Sequence, residues 1–243
     1  MLNSPRVTDD PASEVEAYRV TDDPAFEVEA YQPTPTQRAQ TLCDLGRFAA
    51  AAEAASQAIA DEPRNSHAWC LMAQAQLGQD RAPAALVAAQ AACRLEPAEE
   101  APHRLASLVL GALGRDDEAA AAAAQATERA PQSWRAHARL ADCLAALPDR
   151  LPEARQAAER ALELEPGQPG PHLAIGRVAL AAGRDTDATS AFCAAMGVDP
   201  QCVEAHSELS RLQSRDVPRS WASVRLRLPR LRGRRARAGD ALS

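Results

Sequence analysis

The 243-residue sequence contains no lysine; all 27 of its basic side chains are arginine. Aromatic residues make up only 3% of it, which argues against a single deep core of large side chains. No apolar run reaches 18 residues, so a helical membrane span is excluded. No segment combines a charged start, an apolar middle and a small-residue cleavage site, as a secretory leader would. The six cysteines (Cys43, Cys70, Cys93, Cys143, Cys193, Cys202) include no C-x-x-C pair. They read as small core fillers, and the expected setting is reducing and cytoplasmic. There is no Gly-rich phosphate loop, no H-E-x-x-H and no G-x-S-x-G. The sequence therefore reads as non-enzymatic, and no cofactor or metal is expected.

What is present is alanine, about a quarter of the chain, and an uneven distribution of charge. Residues 1–37 carry a net −6, residues 38–214 a net −7 and residues 215–243 a net +7. The mild overall value of −6 thus hides an acidic head and a basic tail. Small side chains in such number suit closely packed helices in which each unit rests on its neighbours.

Residues 6–18 are repeated at 19–31 with one change, Ser13 becoming Phe26. Each copy breaks at D-D-P and is too polar to bury a core, so 1–34 reads as a disordered acidic segment. Its Phe26, Val28 and Tyr31 leave a short docking motif as the other reading. Beyond it, Pro63, Pro97, Pro131, Pro166 and Pro200 recur every 34 or 35 residues, the period of a stacked helical array. With each proline as the 32nd residue of its unit, three places are always small. The eighth holds Ala39, Ala73, Ser107, Ala141 and Gly176. The twentieth holds Ala51, Ala85, Ala119, Ala154 and Ala188, and the twenty-seventh Ala58, Ala92, Ala126, Ala161 and Ala195. Gly46, Gly114 and Gly183 mark the turn inside the hairpin, and Gly78 falls two residues early. A one-residue insertion between Leu147 and Pro152 accounts for the single spacing of 35.

Small residues at these places, Gly in the turn and Pro at the end resemble the tetratricopeptide repeat. The resemblance implies an all-α, right-handed superhelical solenoid of helix-turn-helix units over 35–214. The units fall at about 32–65, 66–99, 100–132, 133–167 and 168–200, with a capping helix at 201–214 and a disordered basic tail at 215–243. The departure is in bulk. Trp69 keeps the large residue at the fourth place, but His103, His137, His172 and His206 replace it later. Leu42, Gln76, Leu110, Leu144 and Ala179 stand where the family often has Tyr or Phe. The second helices carry Ala55, Ala89, Ala123 and Ala158. Each aromatic-to-Ala exchange forgoes burial worth about 2–3 kcal/mol, so a thinner array is expected.

The four histidines share one structural place, yet rings a whole hairpin apart cannot meet on one ion at bonds of about 2 Å. They read as amphipathic rings wedged between units. By the resemblance, the first helix of each hairpin lines a concave groove that contacts extended peptides. The matching side chains are His67, Gln74, Arg104, Arg135, Arg139, Asp142, Arg177 and Arg211. Their arginines suit an acidic or C-terminal peptide; the plainer reading is solvated arginines paired with Asp142 or Glu208. The family's carboxylate clamp also uses Lys and Asn, and here Asn3 and Asn65 fall outside the helices that would supply them. The expected role is a protein-interaction scaffold. The alternative is a surface tether, with Arg225, Arg227, Arg230, Arg232, Arg234, Arg235 and Arg237 of the tail gripping anionic membrane or nucleic acid.

Overall fold

A computed structural model describes residues 33–216. The duplicated head, the docking motif at Phe26–Tyr31 and the tail arginines Arg225 to Arg237 lie outside the described residues. Eleven α-helices follow one another within the described part. They are α1 (Pro35–Asp44), α2 (Phe48–Asp61), α3 (Ser66–Leu77), α4 (Ala82–Leu95), α5 (Glu100–Ala112), α6 (Asp116–Arg129), α7 (Trp134–Ala145), α8 (Leu151–Leu164), α9 (Pro169–Ala181), α10 (Asp185–Val198) and α11 (Val203–Asp216). From α1 to α10, odd-numbered helices are the first of each hairpin and even-numbered ones the second, and α11 packs on α10. Each first helix packs on its own second helix, and α1, α3, α5, α7 and α9 also pack on one another in succession. This is a helical solenoid. Among the described residues, no helix is long and apolar enough to cross a membrane.

The repeat prolines set where the second helices stop. A residue before proline is driven out of the helical region into an extended conformation. Glu62, Glu96, Ala130, Glu165 and Asp199, which immediately precede the five prolines, have φ of −134°, −131°, −132°, −149° and −131°. All five second helices are accordingly 14 residues long.

The turns inside the hairpins close in one way in four units. A left-handed residue ends the first helix, and the two N–H groups there reach back to the last carbonyls. At Gly46 (φ 68°), its own N–H reaches Cys43 O at 3.0 Å and that of Arg47 reaches Leu42 O at 2.8 Å. Gly114 and Gly183 repeat the pattern. In the second unit the left-handed residue is Asp80 (φ 57°), with Arg81 N bonded to Gln76 O at 2.9 Å. Gly78 is therefore not a displaced turn residue. Its φ is −66°, and a Cβ there would lie 2.5 Å from the Phe48 ring. In the fourth unit a 3-10 turn, Pro148–Arg150, takes up the inserted residue.

All fifteen small positions are buried, and the side chains among them are at most 3% exposed. The fifth unit meets the same constraint with different residues. Gly176 stands where other units have Ala or Ser, and Phe192, fully buried, fills the place that is Ala in the other four. A Cβ on Gly176 would lie 2.3 Å from the Phe192 ring, so the missing methyl is what admits the aromatic.

The rings at the fourth place have a polar task that the wedge reading misses. Trp69 Nε1 donates to Pro63 O at 3.0 Å. The Nε2 atoms of His103, His137, His172 and His206 lie 3.1, 3.0, 3.0 and 2.9 Å from the carbonyls of Pro97, Pro131, Pro166 and Pro200. A carbonyl can only accept, so Nε2 carries the proton in each ring. Only His103 among the four is buried; His206 is exposed. What the place retains is a ring N–H aimed at the linker rather than bulk.

Candidate functional site

The face built by α3, α5, α7, α9 and α11 carries the side chains singled out from the sequence. Five of them occupy one register position, the ninth of each unit: Gln74, Leu108, Asp142, Arg177 and Arg211, each 34 or 35 residues after the last. Leu108 was not among the candidates. It is 42% exposed in mid-row, and its signal was its place in this register. His67 and Gln74 are exposed on α3.

Most of the arginines already have partners. Arg104 Nε binds Glu100 Oε1 at 2.7 Å. Arg177 grips Asp142 with two parallel bonds of 2.8 and 2.9 Å, tying α9 to α7. Arg211 Nη1 reaches Glu208 Oε1 at 3.1 Å and is otherwise well exposed. Arg139 binds no carboxylate among the described residues. Its Nε donates to Ser107 Oγ at 2.9 Å and its Nη2 to Ser107 O at 2.7 Å. This lays the guanidinium over Gly111, where a Cβ would come within 2.9 Å of it. Arg135 stacks over the Trp134 ring, 4.7 Å from its centre. That ring in turn abuts Gly170 at the start of α9.

Two depressions open on this face. One, of about 400 Å³, lies between α5 and α7; Leu77, Leu108 and Ala112 give it apolar walls, and Arg139, Asp142 and Asp116 edge it. The other, of about 220 Å³, lies between α9 and α11 and is lined by Arg177, Leu180, Glu208, Arg211 and Leu212. Asp142 lines the first and Arg177 the second, so their ion pair forms the wall between them. Cys143, at the edge of the first, is held protonated because burial pushes its thiol pKa up. Cys70 is driven further, to about 11, first by burial and then by the nearby Cys93. Neither thiol is an activated nucleophile at neutral pH.

A family model described as "Tetratricopeptide repeat" matches residues 36–100 and 105–169, more than half of the chain. No curated protein sequence matches it. Among solved structures, a thermophilic TPR protein of Thermus thermophilus is similar at 20% identity and a TM-score of 0.67, over 74% of this chain and 97% of that one. YrrB, described as a TPR protein with an unusual peptide-binding site, is 17% identical with a TM-score of 0.50, over 71% and 88% of the two chains. MamA is 14% identical with a TM-score of 0.52, over 69% and 91%. These likenesses concern the fold.

Proposed function

The chain belongs to the tetratricopeptide repeat family, and from that premise we propose that it is a non-catalytic scaffold holding an extended peptide of a partner protein on its first-helix face. The fold itself is that of a protein-interaction scaffold. The observation that carries the finer reading is the depression between α5 and α7, where Leu108 stays exposed beside a fixed guanidinium. Leu77, Leu108 and Ala112 form an apolar wall edged by a few polar groups, which is the kind of concavity a ligand's apolar side chain would fill. Of the five arginines, Arg104, Arg177 and Arg211 already meet a carboxylate. A preference for acidic or C-terminal peptides therefore rests on the guanidinium edges those pairs leave unused, together with Arg135. The peptide-binding description of YrrB concerns a neighbour in fold and is consistent with this use of the face. A reducing, cytoplasmic setting suits six cysteines that are all free thiols.

Leu108→Glu tests the reading, because the side chain is exposed and the change leaves the core intact. Peptides selected on the full chain are expected to lose most of their binding to this variant. Undiminished binding by Leu108→Glu, with an unaltered far-UV spectrum, would count against the site.

A second reading rests on the tail, which holds nine arginines between Arg215 and Arg237. Such density suits a tether to anionic membrane or nucleic acid, with attachment that weakens as salt rises. Removing 217–243 is then expected to abolish binding to anionic vesicles and to DNA.

A further inference from the structure

The second helices carry a groove of their own. It runs between α6 and α8, has a volume of about 420 Å³, and is floored by Leu140 and Leu144 of α7. Ala120, Ala121, Ala124 and Ala157 form its apolar walls. Its depth follows from side-chain size. The places of Ala120, Ala121 and Ala124 hold Arg155, Gln156 and Glu159 in the fourth unit, and no other unit has alanine at all three. The matching groove between α8 and α10, walled by Arg155 and Glu159, measures about 140 Å³. The surroundings of the larger groove are acidic. Together α6 and α8 carry seven carboxylates and three guanidiniums. Asp117 stands exposed at the mouth with no ion pair among the described residues, while Arg150 and Arg160 are held by Glu153 and Glu163.

An apolar groove with an acidic rim fits a segment that is apolar and basic, and the chain has one. Residues 217–243 hold eight arginines and one aspartate, and within them Val224, Leu226 and Leu228 alternate with Arg225 and Arg227. Extended chain with that alternation turns the three apolar side chains one way and the two guanidiniums the other. Length permits the contact. α11 ends at Asp216, and α7 is two units back, about 16–20 Å at the usual helix spacing, with the second-helix layer adding about 10 Å. At about 3.3 Å per residue, roughly nine residues cover that path, which brings Arg225 and Leu226 to the groove. We infer that the chain's own tail occupies the groove, with Val224, Leu226 and Leu228 against the alanine walls and Arg225 and Arg227 over the carboxylates of α6 and α8. This site stands apart from the first-helix face, and its occupant belongs to the same chain. A docked tail withholds its central arginines from other anions, so groove and anionic surface compete for one segment.

A photo-crosslinker in the tail tests this. p-Benzoylphenylalanine replaces Leu228 in the full-length chain, and the cross-linked peptides are mapped by mass spectrometry. The expected products are cross-links within one chain to the residues of α6, α7 and α8 that line the groove. Ala121→Gln together with Ala124→Gln fills the groove, and Gln156 and Gln90 show that these two places accept the side chain. That variant should lower the cross-linking yield about tenfold. Leu226→Ser should lower it as well, and it lies beyond the described helices, so its effect does not come from a disturbed array. In 1 M salt, where screening sets in within about 3 Å, the yield should also fall. Cross-links that join two chains would give the groove to a second copy. Cross-links to another face, or a yield that both variants leave unchanged, would give it to a partner protein or to nothing. Any of these results overturns the assignment of the tail to the groove.

Discussion

Arg177 and Asp142 stand 35 residues apart in the chain and meet edge to edge, Nε to Oδ1 and Nη2 to Oδ2, at 2.8 and 2.9 Å. Both occupy the ninth place of their units, so a contact between equivalent positions joins two first helices side by side. The bidentate geometry gives the pair strength, while the partial exposure of both side chains (36% and 20%) screens it.

A double-mutant cycle with Asp142→Ala and Arg177→Ala should return a coupling of about 1 kcal/mol in denaturant unfolding at low salt. In 1 M salt the coupling should shrink to a fraction of that. A coupling near zero at low salt would mean the pair is not formed in solution.

Gly176 and Phe192 should behave as a unit. Gly176→Ala alone drives a methyl into the ring and is expected to destabilise by about 1–3 kcal/mol. Phe192→Ala alone leaves a cavity and should destabilise by about 3–5 kcal/mol. The double variant restores the Ala/Ala combination of the first, second and fourth units and should be no worse than Phe192→Ala alone. Simple additivity of the two single effects would contradict the size exchange.

His172 offers a test of the ring N–H. Replacing it with Phe keeps an aromatic ring and removes the donor to Pro166 O, at an expected loss of about 1 kcal/mol. Trp, which performs this task at position 69, should retain most of the stability. Equal stability of the Phe and Trp variants in thermal unfolding would show that the place requires only bulk.

Cys70 predicts the response to base. Its folded-state pKa is raised to about 11 from an ordinary 9.0, chiefly by burial. The protonated thiol's contribution to stability is complete below pH 9 and is lost as pH rises toward 11. Between these limits the wild type should lose more stability than Cys70→Ala, as read by urea midpoints at pH 8 and pH 10.5. At pH 8, alkylation should reach the exposed Cys193 well before Cys70.

The architecture could be read from the sequence because small residues and prolines act through the backbone. The prolines set the helix ends, and the fifteen small positions set where the helices touch. Asp80 escaped that reading because the left-handed turn tolerates Asp as well as Gly. Gly78 was misread because its requirement comes from Phe48, in the preceding unit. On the first-helix face the sequence supplied which side chains point outward, as with Gln74 and Arg177, but not what each one touches. The two bonds from Arg139 to Ser107 span 32 residues and depend on how two units stack. Leu108 went unnoticed because an exposed leucine within a helix looks in sequence like a core residue.

The ring–carbonyl bonds close within a single stretch of chain, each reaching only six residues back. Ring and carbonyl lie in one proline-to-proline segment, so a recombination event that adds or drops such a segment leaves every such bond whole. The bonds from Arg139 to Ser107 and from Arg177 to Asp142 cross unit boundaries and have no such freedom. Length can therefore change by whole units only where the groups that bond across the new seam are matched, as Gln79 Nε2 and Phe48 O are between the first two units.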